Sequence, residues 1–206
     1  NDFDQTNKGF GKAPKFPQPI LHEFILEHYS KTKDEDFLKI SLETLDAIEK
    51  GGIHDQVGGG FHRYSVDEKW LVPHFEKMLY DNTSLAYLYL NAYRITKEEK
   101  YKDTVEKTLN YLSKEMFSES GGFYSAQDAD SEGVEGKFFT WSINEINSVL
   151  NKEEVKSIIS NFNLTHEGNF EGKNIFYKNE DIKEKDKKVI SEALKKLYKE
   201  RSKRIP

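Results

Sequence analysis

Apolar positions recur at helical spacing along most of this chain. Leu21, Phe24, Ile25 and His28 share one side of Ile20–Tyr29, and Phe37, Ile40, Leu45 and Ile48 share one side of a second segment that Gly51 stops. Between Asn82 and Tyr93 the run NTSLAYLYLNAY carries no charge, which predicts a helix buried on every side. The next segment, about Glu98 to Met116, has a single apolar stripe (Tyr101, Val105, Leu109, Leu112, Met116) set among Lys and Glu, the pattern of an outer helix laid against an inner one. Two short helices are expected over Ser142–Phe162. A glycine-punctuated polar loop follows at Glu167–Lys178, and then a last amphipathic helix over about Lys183–Lys203 that buries Val189, Ile190, Ala193, Leu194 and Leu197.

The breaks alternate in length. Ser30–Asp34 and Ile95–Lys97 are short, whereas Gly51–Val72 and Ser118–Thr140 are long. Antiparallel helices alternate ends, so both long loops fall on one face of the bundle. Each carries a hairpin signal, Gly60–Tyr64 opposite roughly Lys69–Val72 and Gly122–Ser125 opposite Lys137–Trp141. Pro73 suits the first turn of the following helix. Residues 1–19 hold three of the five prolines and no periodicity, so they read as an irregular arm on one domain spanning 20–206. The expected class is all-α: helical hairpins in two layers, with small β-hairpins in the long loops of one face.

Composition narrows the partners more than the fold. Of the 206 residues 33% are charged, and the net charge of −5 gives no reason to expect nucleic acid or an anionic membrane. No apolar run approaches the length of a membrane span. Without cysteine there is no disulfide, thiol nucleophile or CxxC pair. That leaves the compartment open, with the cytoplasm favoured. The chain begins without methionine and reads as a piece of something longer.

Candidate chemistry gathers in Gly51–Asp81, which holds three of the six histidines, five of the thirteen glycines and one of the two tryptophans. A long loop this rich in polar aromatics is typically functional. His74, Glu76, Tyr80, Asp81 and Asn82 form its densest group. On a helix opening at Pro73, His74 would sit in the first turn, where the dipole favours a neutral imidazole that can act as a base. The alternative is a capping or core histidine. His54, His62, Arg63 and Tyr64 lie among glycines and suit a polyhydroxylated or anionic ligand, with Trp70 as a wall; the plainer reading is a turn with solvated side chains. Three histidines could hold zinc, but they lack a recognised spacing, and no metal is expected. Asp128 and Asp130 open a D-x-D-x-E-G run that resembles a calcium loop, except that Phe139 stands where a bidentate acid is needed. Set on the loop face, they could instead pair with Glu76 or Asp81 as acid and base, the arrangement of glycoside cleavage. The lysine-rich last helix, interleaved with Glu and Asp, reads as a solvated face.

GGIHDQVGGGFHRYSVDEKWLVPHFEKMLYDN, with GFGKAPKFP before it and GGFYSAQDADSEG after it, resembles the YyaL-like family of thioredoxin-domain-containing proteins of the spermatogenesis-associated type. Lys8 stands where the family pattern has glycine. The resemblance implies a thioredoxin-like domain followed by an (α/α)6 toroid similar to six-hairpin glycosidases and N-acylglucosamine 2-epimerases, of which this chain would be the first half or so. It implies a carbohydrate-active role by likeness of fold alone. On that reading His74, Glu76, Asp81, Asp128 and Asp130 are the candidate acids and bases, and His54, His62, Arg63, Tyr64, Trp70, Tyr80 and Asn82 the binding residues, with no cofactor. The rival is a non-catalytic helical domain that binds a ligand or partner for the thioredoxin-like part. A half-toroid would leave apolar edges near Ile20–Tyr29 and Val189–Tyr198, where a homodimer is expected.

Overall fold

The computed structural model describes residues 2–206; the first residue of the expected arm, Asn1, lies outside them. Helices α1 (Pro19–Thr32) and α2 (Glu35–Lys50) form the first hairpin, and α3 (Leu79–Thr96) and α4 (Glu99–Tyr111) the second. Local signals set the ends. Pro19 occupies the first turn of α1, Asp34 caps α2 by accepting the Asp36 amide, and Lys33 and Lys97 adopt left-handed conformations that close α1 and α3. Strands β1 (Lys77–Met78) and β2 (Ala126–Gln127) pair antiparallel, as do β3 (Asp130–Ser131) and β4 (Val134–Glu135). Helices α5 (Ile143–Val149) and α6 (Lys152–Asn161) each start with a capping box, and α7 (Glu184–Arg201) lies against both.

Two cores result. The first joins α1 to α4 around Leu26, Leu45, Ile48, Leu85, Leu88 and Tyr89. The second joins α5 to α7 around Trp141, Ile146, Ile158, Phe162, Ala193 and Leu197. A smaller aromatic cluster of Phe75, Phe138 and Phe139 belongs to the long loops. Lys8, in the upstream motif, has φ 62, a left-handed conformation that glycine adopts at less cost.

Several expectations change. The helix predicted to open at Pro73 starts at Leu79, because Pro73 bridges Ser65 and Lys77–Met78 is committed to strand β1. The uncharged helix is not buried on every side: Leu85, Leu88, Tyr89 and Ala92 face the core, but Tyr80, Thr83 and Tyr87 form an exposed stripe. The expected outer helix ends as α at Tyr111 and continues through Met116 as a π turn. Finally, Gly122–Ser125 does not pair with Lys137–Trp141. Phe123 bridges Phe117, β2 turns to β1, and Trp141 bridges Asn174. The first hairpin forms slightly out of the expected register, with Val66 donating to the Val72 carbonyl and His74 to that of Tyr64.

Candidate functional site

The long loops meet where α3 begins. Strand β2 brings the 118–140 loop against β1, His62 packs edge-on to Phe75 and Phe139, and Phe170 of the third loop reaches Phe75. Beneath them lies a buried ionic knot. Asp55 accepts from Lys77 Nζ at 2.8 Å and from Arg201 Nη1 at 2.9 Å, while Lys77 also donates to the Gly59 carbonyl. Burial alone would push the Asp55 carboxyl up; the two cations beside it hold it well below the usual carboxylate range instead. Burial draws Lys77 down, with Asp55 opposing. Such a knot is strongly destabilising to break on one side, because it leaves a buried charge unpaired.

Above this floor, on the surface, sits a second group. Arg63 donates to Glu76 Oε2 at 3.4 Å, and both are partly exposed. Asp81, in the first turn of α3, is close enough for both to act on its titration. Burial pushes its carboxyl up to about 6, Arg63 pulls the other way, and Glu76 adds to the rise. Its Oδ2 is buried with no hydrogen-bond partner. Tyr80 projects beside Arg63 and is half-exposed. His74 donates from Nδ1 to Glu135 Oε1 at 2.9 Å and stacks on Tyr64 at 5.0 Å, and Tyr64 packs in turn on Phe16. His74 lies outside any helix, ahead of the start of α3 at Leu79, and not in a helix first turn as expected.

Of the residues singled out in the sequence, Arg63, Tyr64, His74, Glu76, Tyr80 and Asp81 lie at this surface. Four others are buried in the core rather than set at this surface. His54 and His62 are 1% and 2% exposed, and burial lowers their imidazoles to about 4 and about 3. Trp70 is buried, with its indole N–H on the carbonyls of Asn7 and Lys8. Asn82 clamps the backbone of Phe61 through both its amide atoms. The glycines around these residues serve close packing: a Cβ on Gly60 would meet the Tyr111 ring at 2.4 Å. Asp128 and Asp130 are exposed, Asp128 accepting the Asp130 amide, and among the described residues neither hydrogen-bonds to Glu76 or Asp81. Glu135, which β3–β4 pairing sets opposite Asp130, is the carboxylate of that loop that reaches His74. Among the described residues no group of three or more His, Asp or Glu is placed to hold a metal ion.

Sequence reasoning missed Glu135, Lys77 and Arg201. For Arg201 a signal existed: it continues the spacing of Ile190, Ala193 and Leu197, which puts it on the buried face of α7 rather than the solvated one.

Human and mouse spermatogenesis-associated protein 20 are each 40% identical to the chain over 158 residues, 72% of this chain and 20% of theirs. The chain is homologous to spermatogenesis-associated protein 20. An uncharacterized Caenorhabditis elegans protein is 37% identical over 170 residues, 76% of this chain and 23% of its own. The chain thus spans about a fifth of the length of these relatives. No family model matches it. Among solved structures, cellobiose 2-epimerase from Bacillus thermoamylovorans superposes with a TM-score of 0.54 at 16% identity, covering 62% of this chain and 36% of the epimerase. The cellobiose 2-epimerase of Spirochaeta thermophila gives 0.55 at 14%, covering 62% and 34%. A sugar epimerase from a ruminal bacterium gives 0.52 at 18%, covering 70% and 42%. At such identity the likeness shows the fold alone: helical hairpins of an α/α toroid, present here in part.

Proposed function

We propose that the surface at the start of α3 is a carbohydrate-active site, working by acid–base chemistry of the glycosidase or sugar-epimerase kind. The observation that carries this is Asp81, whose carboxyl is raised to about 6 and whose Oδ2 is buried and unpaired, beside Glu76, which Arg63 engages. Two neighbouring carboxyls in unlike environments separate into a proton donor and an ionised partner. Asp81 is the acid, Glu76 the base or electrostatic partner, and His74, oriented by Glu135, a second proton carrier. Tyr80, half-exposed, offers a ring face for a sugar. The fold likeness to sugar epimerases supports the class of ligand by analogy only. In a longer protein this unit would act alongside a thioredoxin-like domain.

One feature favours a second reading, a binding module without turnover. The cluster lies open on the surface, and Arg63, Glu76 and Asp81 line neither of the two larger cavities. The deciding experiment offers the full-length protein a panel of mono- and disaccharides, with hydrolysis and epimerisation followed by chromatography and binding by calorimetry. Turnover that disappears in Asp81→Asn supports the enzyme; binding without turnover supports the module; neither would sink both.

A further inference from the structure

Away from that surface, a cavity of about 430 Å³ opens between the π turn that ends α4, strand β2 and the last turn of α7. Its walls include Lys114, Gln127, Phe138, Tyr198 and Arg201. Arg201 is 1% exposed, and its Nη2 makes no hydrogen bond; Glu115 Oε1 stands 3.7 Å away. Lys114 has no carboxylate within ion-pair reach among the described residues, and its ammonium lies 5.6 Å from the centre of the Tyr198 ring. Gln127 spends its carbonyl oxygen on the Tyr111 hydroxyl at 3.0 Å, which leaves its amide N–H groups free. Lys114 and the Gln127 amide are thus free donors beside aromatic faces, and Arg201, already ion-paired with Asp55 and near Glu115, keeps one Nη2 without a hydrogen bond.

Two acids, Glu115 and Asp128, also line the cavity. Glu115 faces Arg201 and the Tyr198 hydroxyl, and Asp128 accepts the Asp130 amide at 3.1 Å. Arg204, a further wall, is spent on the carbonyls of Lys137, Phe138 and Thr140. A buried guanidinium nitrogen without an acceptor is costly to keep, and an entering oxygen anion relieves it.

We propose that this cavity binds a small ligand bearing a carboxylate or phosphate group, held by Arg201, Lys114 and Gln127, with its ring body against Tyr198 and Phe138. The guanidinium fork matches either anion, so the shared chemistry is the planar or tetrahedral oxyanion rather than one compound.

Calorimetric titration of the chain with phenyl phosphate, benzoate, glucose 6-phosphate and neutral glucose tests it. At least one of the anions should bind and glucose should not, and the phosphate and carboxylate arms identify which oxyanion is preferred. Affinity should fall with added salt, since the contact is ionic. Lys114→Ala should weaken binding by about tenfold and Lys114→Arg should restore most of it, because charge-assisted contacts carry the affinity. Lys114 is exposed, so both variants should melt with the parent. Absence of binding by every anion below about 5 mM, a weak limit on the usual affinity scale, overturns the proposal. So does binding that Lys114→Ala leaves unchanged.

Discussion

At the scale of single residues, Asp81 joins function and stability with opposite signs. Its folded carboxyl titrates at about 6 rather than 3.8, so between those values the folded state holds a proton that the unfolded state has lost. Stability therefore falls as pH rises through this window, and at neutral pH the desolvated charge is a standing cost. Asp81→Asn removes the charge and keeps the shape. After a discount for the partial exposure of the group, it should stabilise the protein at pH 7 by about 1 kcal/mol. The same change should lower turnover by about 10²–10⁴-fold, as loss of a general acid does. Thermal melts at pH 4 and pH 7, paired with the sugar assay, check both arms. A variant that is inactive and less stable at pH 7 would show a structural carboxyl instead.

Between elements, contacts are decided by neighbours distant in sequence, and there the reading of the chain was least complete. Helices α2, α5, α6 and α7 were legible because an apolar stripe and its caps are local signals. Strand β1 was not, since Lys77–Met78 is extended only because Ala126–Gln127, far along the chain, pairs with it. Of the candidate site, Arg63, Glu76 and Asp81 were legible as polar groups in a dense motif. The histidines of the same motif misled, because a glycine-rich loop looks mobile until the packing that fills its glycines is known. Gly58 is the sharpest case. A Cβ there would meet Arg201 Nη2 at 1.8 Å, so the bare backbone lets the loop close over the end of α7 and deliver Asp55 to Arg201. Gly58→Ala should cost about 3 kcal/mol by displacing one partner of a buried ion pair. Denaturant unfolding measures it, and a loss below about 1 kcal/mol, the scale of an ordinary substitution, would mean the guanidinium shifts freely.

Across the whole molecule, buried neutral histidines and uncovered apolar side chains set the behaviour in solution. His22, His54 and His62 titrate at about 4, 4 and 3 when folded, against 6.5 ordinarily, because burial disfavours their charged forms. Below pH 6.5 the unfolded chain takes up protons that the folded one refuses. Stability should therefore drop steeply as pH falls toward 4, outweighing the smaller opposite slope of Asp81. Denaturant midpoints that stayed flat from pH 7 to pH 4.5 would contradict this. Helices α1 and α3, which pack together, each leave large apolar side chains uncovered. Ile20 and Phe24 are 78% and 66% exposed, and Tyr80 and Tyr87 are about half-exposed. The other edge expected to be apolar, α7, turns out to present Lys185, Lys188, Glu192, Lys195, Lys196 and Lys199 to solvent, which leaves α1–α3 as the single adhesive side among those two. A self-complementary apolar face favours a closed two-fold pair, since the same patch then serves both copies and no further surface is left to propagate. The chain alone is thus expected to dimerise through α1–α3. Phe24→Glu with Tyr87→Glu should return it to monomer without lowering its melting point at low concentration, because neither ring contributes to the core. Light scattering across a dilution series reads the outcome: a monomer at every concentration in the parent chain, or a dimer that survives both glutamates, would each refute the assignment.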